Sequence, residues 1–184
     1  MEAAMKLYTG KKTNIEWVQE QMRVKTPNLS AEAGGSTERI DWMDRCGALA
    51  AIKHDAAKAL ASIYVWPDRD RSKDERIITD ALALQMIEAC AQLNQNPPRT
   101  GRDEMTLNQV AERTAAMVLF FYIHNIRDHY TTKGRLHMSG IPISEHAWAK
   151  TWKPFEDAMI EQLGRWYTLA DMYIGEYRML MRDA

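Results

Sequence analysis

The sequence predicts an all-α fold: a multi-helix bundle with at most one short β-hairpin. Three observations carry that prediction. From Ile40 onward the apolar residues recur at three- and four-residue intervals, the period of a helix face. Between the periodic stretches lie helix stops and starts: Trp66-Pro67, Asn94-Gln95-Asn96-Pro97-Pro98 and the capping-box pattern Thr106-Leu107-Asn108-Gln109. Strand signals are confined to one Thr- and Gly-rich stretch, Thr131 to Ile143.

The length, 184 residues, allows one domain or two small ones. Residues 1–35 read as a short helix plus a flexible loop, and residues 36–184 as a single helical domain. Ile15, Trp17, Val18 and Met22 predict a helix from about Thr13 to Val24, before Thr26-Pro27-Asn28 and Gly34-Gly35. The first long helix is expected from an N-cap at Ser36 or Thr37 to Trp66, where Pro67 stops it. Its stripe is Ile40, Met43, Gly47, Ala50, His54, Ala57, Ala61 and Tyr64. Most of these are small, so another helix axis can approach closely.

The second helix is expected from a Ser72 cap to about Asn94, with the stripe Ile78, Leu82, Met86, Ala89, Cys90 and Leu93. The third opens at Thr106 and turns apolar on all sides from Ala115 to Ile123, so it should be the most buried. Lys133-Gly134 reads as the tight turn of a hairpin over Thr131–Met138. Ser144 then caps a short helix through Trp152, and Pro154 suits the first turn of a long helix over 154–182. In that helix Met159, Trp166, Tyr173 and Leu180 recur every seven residues, with Leu163, Ala170 and Tyr177 interleaved. Ile160, Tyr167, Ile174 and Met181 make a third row. The face is wide and aromatic: a core helix or a dimer seam.

Several function classes fall away at this level. Lys and Arg number 24 against 25 Asp and Glu, so no global field attracts nucleic acid or anionic membrane. The longest apolar run, Ala115–Ile123, is far short of the ~20 residues a membrane span needs. The start of the sequence carries no apolar secretory core. Two cysteines, Cys46 and Cys90, exclude a disulfide framework and read as unbridged thiols in a reducing, cytoplasmic compartment.

Metal and catalytic patterns are also missing. His124 and His129 are five apart, unlike a His-Glu-x-x-His zinc helix. His54-Asp55 resembles the His-Asp pair of metal-dependent helical phosphohydrolases, but no histidine precedes it. The Asp68–Asp74 run has Lys73 where a calcium loop needs Gly, and Thr79 where it needs Glu. Neither a Gly-rich phosphate loop nor a nucleophile elbow occurs. The expectation is a protein without catalytic residues, metal or cofactor.

A local charge contrast remains. Arg127, Lys133, Arg135, Lys150 and Lys153 stand against Asp128 and Glu145, with His129, His137 and His146 adding partial charge. Tyr130, Trp148 and Trp152 are interleaved with them. From Pro154 onward six carboxylates face three arginines. Within the basic module, Gly140 to Trp152 reads as a turn leading into a recognition helix. Leu107 to Arg113 would be the first helix of a degenerate helix-turn-helix over 104–153, although about two dozen residues intervene where three or four are usual. Lys133, Arg135, His146, Lys150 and Lys153 are the expected phosphate or base contacts, with Ser144 as an anion-binding cap.

Two stretches, Asn14 to Gln21 and Ile143 to Trp148, resemble small helical regulators of bacteriophages, the late-gene antitermination proteins. The resemblance implies a DNA-binding transcription regulator acting with RNA polymerase in a bacterial cytoplasm. Some members of that class carry a cysteine-rich zinc insertion, which this sequence lacks. The competing expectation is a non-catalytic helical interaction module, a phage-encoded inhibitor of a host machine. Its partner or homodimer face would be Met159, Leu163, Trp166, Tyr173, Tyr177 and Leu180.

Overall fold

The computed structural model describes residues 12–22, 42–97 and 105–182. The expected cap at Ser36 or Thr37 lies outside them. All regular elements among the described residues are helical, and 79% of the structure is helix. The helices are α1 (Asn14–Met22), α2 (Trp42–Ala50), α3 (Asp55–Val65), α4 (Ser72–Gln92), α5 (Leu107–His124), α6 (Thr132–Met138), α7 (Glu145–Ala147) and α8 (Lys153–Arg182). A 3-10 turn spans Arg127–His129, and a π turn, Trp148–Trp152, joins α7 to α8. The chain forms two compact units, one of residues up to Arg71 together with Trp166 onward, the other Ser72–Arg165. Each contains part of α8.

In the first unit α1 packs on α3, and so does α2. The start of α1 is a capping box. Thr13 Oγ1 accepts the Glu16 N–H at 3.1 Å, and the Glu16 carboxylate accepts the Thr13 N–H at 2.9 Å. Asp171 on α8 then takes the next free donor, the Ile15 N–H, at 3.0 Å. A carboxylate there also complements the positive end of the helix. Behind this end Ile15 and Val18 are fully buried.

The expected long helix ending at Trp66 is two helices. The chain leaves the helical path after Ala50, and His54 takes an extended conformation (φ −93°, ψ 117°). Its Nδ1 accepts the Ala57 N–H at 3.3 Å, so the residue read as part of the stripe is the N-cap of α3. The break resets the helical phase. Met43 and Ala50 are exposed, whereas Ala56, Ala57, Leu60, Ala61 and Ile63 are buried. Close approach does occur at Gly47, where an added Cβ would overlap the ring of Tyr177 on α8.

In the second unit α4 and α5 pack along each other. Ile78, Leu82, Met86 and Cys90 form the buried stripe of α4. On α5 burial extends over Val110, Ala111, Thr114, Ala115, Met117, Val118, Leu119 and Phe121, leaving Ala116 and Phe120 exposed. The predicted capping box is present: Thr106 accepts from the Gln109 N–H, and Gln109 accepts from the Thr106 N–H. The helix ends at Asn125 with φ 51°, a left-handed residue that Asn tolerates.

The expected hairpin is absent; Thr132–Met138 is helical, with Thr131 as its N-cap. Thr131 Oγ1 accepts the Gly134 N–H at 3.1 Å, and this cap turns the Lys133-Gly134 pair into the first turn of α6.

Candidate nucleic-acid interface

Residues 132–152 form two helical pieces joined by a link over 139–144. The link turns at Gly140, whose φ of 63° is accessible to glycine at no steric cost. Arg113 on α5 donates from Nη1 to the Gly140 carbonyl, fixing the turn from outside. Ser144 then caps α7, its Oγ accepting the Ala147 N–H at 3.3 Å. Leu107–Arg113, the expected first helix of the degenerate helix-turn-helix, is the opening of the long helix α5, and the helix before Ser144 in the chain is α6.

Beneath the element lies a charge cluster. Glu156, in the first turn of α8, is 2% exposed. Its Oε1 accepts from Arg127 Nη2 at 3.0 Å, from Arg127 Nε at 3.3 Å and from Arg135 Nη2 at 2.9 Å. Its Oε2 accepts the indole N–H of Trp148 at 2.8 Å. Arg135 also donates from Nη1 to the Tyr130 carbonyl at 3.2 Å, while its Nε is buried with no partner. Asp157 adjoins the cluster, accepting from Arg127 at 3.2 Å and from Lys153 Nζ at 2.6 Å.

The six expected nucleic-acid residues thus divide. Arg135 is buried and committed to Glu156 and Tyr130. Lys153 is half-exposed and paired with Asp157, and Ser144 is an intrahelical cap. Lys133, His146 and Lys150 are exposed, without an ion-pair partner among the described residues. His146 and Lys150 are four apart and both exposed, on the side away from the buried Trp148 and Trp152. Sequence reasoning missed Glu156 and the role of Arg127. Their partners lie 29 and 21 positions apart, and no local pattern encodes such pairs.

An open cleft of about 440 Å³ separates α6 from the start of α7. Lys133, His137, Ser144 and Glu145 line it beside Leu136, Ile141 and Ile143. Those three apolar side chains are already buried, so an occupant would find little apolar surface to cover.

The expected partner face is mostly interior. Met159, Leu163 and Trp166 are buried, Tyr173 and Tyr177 half-buried, and Leu180 is 70% exposed. Met172, Met179 and Met181 are exposed near it in sequence. Among the described residues no group of three or more His, Cys, Asp or Glu side chains is placed to hold a metal ion. Among the same residues no helix is long and apolar enough to cross a membrane.

No protein-family model matches the chain, and neither a curated protein nor a solved structure is significantly similar to it.

Proposed function

We propose that the chain is a DNA-binding regulator of transcription and that residues 132–153 form its DNA-contacting element. The observation that supports this reading most is the two-helix unit turning at Gly140. It presents His146 and Lys150 on one exposed face, with Lys133 exposed on α6. Lysines there contact phosphates, and His146 and Ala149 stand on the face that would meet base edges. The finer reading, a phage-encoded antitermination factor acting with RNA polymerase in a bacterial cytoplasm, rests on the resemblance at Asn14–Gln21 and Ile143–Trp148. Catalysis has no part in it.

The charge cluster limits the electrostatic term. Arg127, Arg135 and Lys153 face Glu156 and Asp157, so few cations remain for phosphates. Binding by the isolated protein should be weak at physiological salt and detectable at low salt.

The test is fluorescence anisotropy with a labelled mixed-sequence duplex at low salt. Lys133→Glu with Lys150→Glu should abolish binding and leave the melting temperature almost unchanged, because exposed substitutions usually alter stability by no more than about 0.5 kcal/mol. A wild-type protein that binds no duplex, alone or with RNA polymerase, ends this reading.

One observation favours a second reading, a protein-interaction module or homodimer. Met172, Met179, Leu180 and Met181 expose flexible apolar side chains toward the end of α8, a composition suited to adaptable contacts. On that reading the lysine reversals are silent and Leu180→Glu loses the partner.

A further inference from the structure

We propose that Glu156 is a positioning residue: it sets the mutual orientation of α6 and the Trp148 helix, and so the geometry of the presented face. The inference deepens the DNA-binding reading and rests on it for its functional consequence.

The argument starts from convergence. One carboxylate, 2% exposed and itself on α8, accepts hydrogen bonds from three other places in the chain. Arg127 reaches it from the 3-10 turn, Arg135 from α6 and Trp148 from the π turn. The link over 139–144 is longer than the three or four residues that ordinarily force two such helices into one angle. The two pieces touch, but an open cleft also lies between them. Arg113 holds only the turn at Gly140, whereas Glu156 is the acceptor shared by both pieces.

The chemistry of the cluster favours orientation over stability. Buried ion pairs contribute little net stability compared with apolar residues of the same volume, because desolvation offsets attraction. Their hydrogen bonds are directional, so they select one arrangement among several of similar energy. Trp148 supplies the directional element on its side. An indole has one donor, and only one ring orientation brings it to Oε2. The π turn belongs to the same arrangement. Its i→i+5 bond, from the Lys153 N–H to the Trp148 carbonyl, closes the stretch of chain that leads from the donor Trp148 toward Glu156.

Glu156→Gln keeps the side-chain volume and removes the charge. Its amide nitrogen would oppose either the indole N–H or a guanidinium, donor against donor. The experiment places nitroxides on Met138→Cys and Ala149→Cys in a Cys46→Ser, Cys90→Ala background. Electron paramagnetic resonance then reads the distance distribution between the two helices. The expected result is a narrow distribution with Glu156 and a clearly broader one with Glu156→Gln, at wild-type helicity by circular dichroism. Duplex affinity in Glu156→Gln should fall by about tenfold, equivalent to losing one good base contact. If Glu156→Gln fails to fold, Arg127→Gln at the half-exposed edge of the cluster serves instead, with intermediate broadening expected. A folded variant that keeps the wild-type distribution overturns the inference. Broadening in a protein whose wild type binds no DNA supports the positioning role and overturns the DNA-binding reading.

Discussion

The indole N–H of Trp148 donates to Glu156 Oε2 at 2.8 Å, and neither residue is more than 2% exposed. A buried polar pair of this kind separates two effects of substitution. Trp148→Ala removes a large core ring and should cost roughly 3–5 kcal/mol. Trp148→Phe retains most of the ring but leaves one carboxylate oxygen short of a donor, which should cost about 1–3 kcal/mol. Urea denaturation of both variants measures the difference. Equal losses would assign the whole cost to the missing hydrogen bond, and an unperturbed Trp148→Phe would mean that the hydrogen bond contributes nothing beyond the ring.

His54 offers a test of the break between α2 and α3. Removing the cap with His54→Ala should destabilise by about 0.5–2 kcal/mol, whereas His54→Asn, a stronger cap residue, should match or exceed the wild type. Thermal melts followed at 222 nm decide it. Two equally destabilised variants would assign the cost to the ring contact between His54 and Trp166, whose centroids are 5.8 Å apart.

Arg45 is 4% exposed, and its Nε and Nη1 have no hydrogen-bond partner. Burial lowers its pKa from the ordinary arginine value, partly opposed by Asp44. Its guanidinium lies 5.3 Å from the centroid of the Trp17 ring. Replacement of a poorly compensated buried charge by an apolar side chain of similar volume is often neutral or stabilising by about 1–4 kcal/mol. Arg45→Met should therefore fold with equal or higher stability. A loss greater than about 2 kcal/mol in urea titration would show that the stacking on Trp17 outweighs the desolvation.

The two thiols should differ in reactivity. Cys90 is completely buried, and burial raises its pKa, so little thiolate is available near neutral pH. Cys46 is half-buried. A disulfide-exchange reagent should modify Cys46 first and Cys90 only on unfolding, with two thiols counted in denaturant. Equal native rates would place Cys90 in a readily opening region.

Local signals in the sequence were sufficient for the helices they cap. The Thr106-Gln109 box, the stop at Pro67 and the breaker after Asn94 were legible because each acts within four or five residues. The Thr13-Glu16 box has the same form and gives α1 its start. His54 was not legible as a cap, because histidine is seldom used there and its neighbours continue a helical pattern. For α6, Gly134 and the surrounding threonines suggested a turn, whereas the Thr131 hydroxyl commits them to a helix. The charge contrast between residues 127–153 and the last helix was visible, but its meaning was not. Arg127 and Arg135 bind Glu156 of that helix from 29 and 21 positions away, which is a tertiary relationship.

The salt dependence of duplex binding tests the central claim most directly. If Lys133 and Lys150 carry the phosphate contacts, log affinity should fall linearly with log salt concentration, with a slope of about −2. Lys133→Glu with Lys150→Glu should remove most of that slope together with the binding. Binding that is insensitive to salt, or a double variant that retains the wild-type slope, would contradict the assignment of this face to DNA.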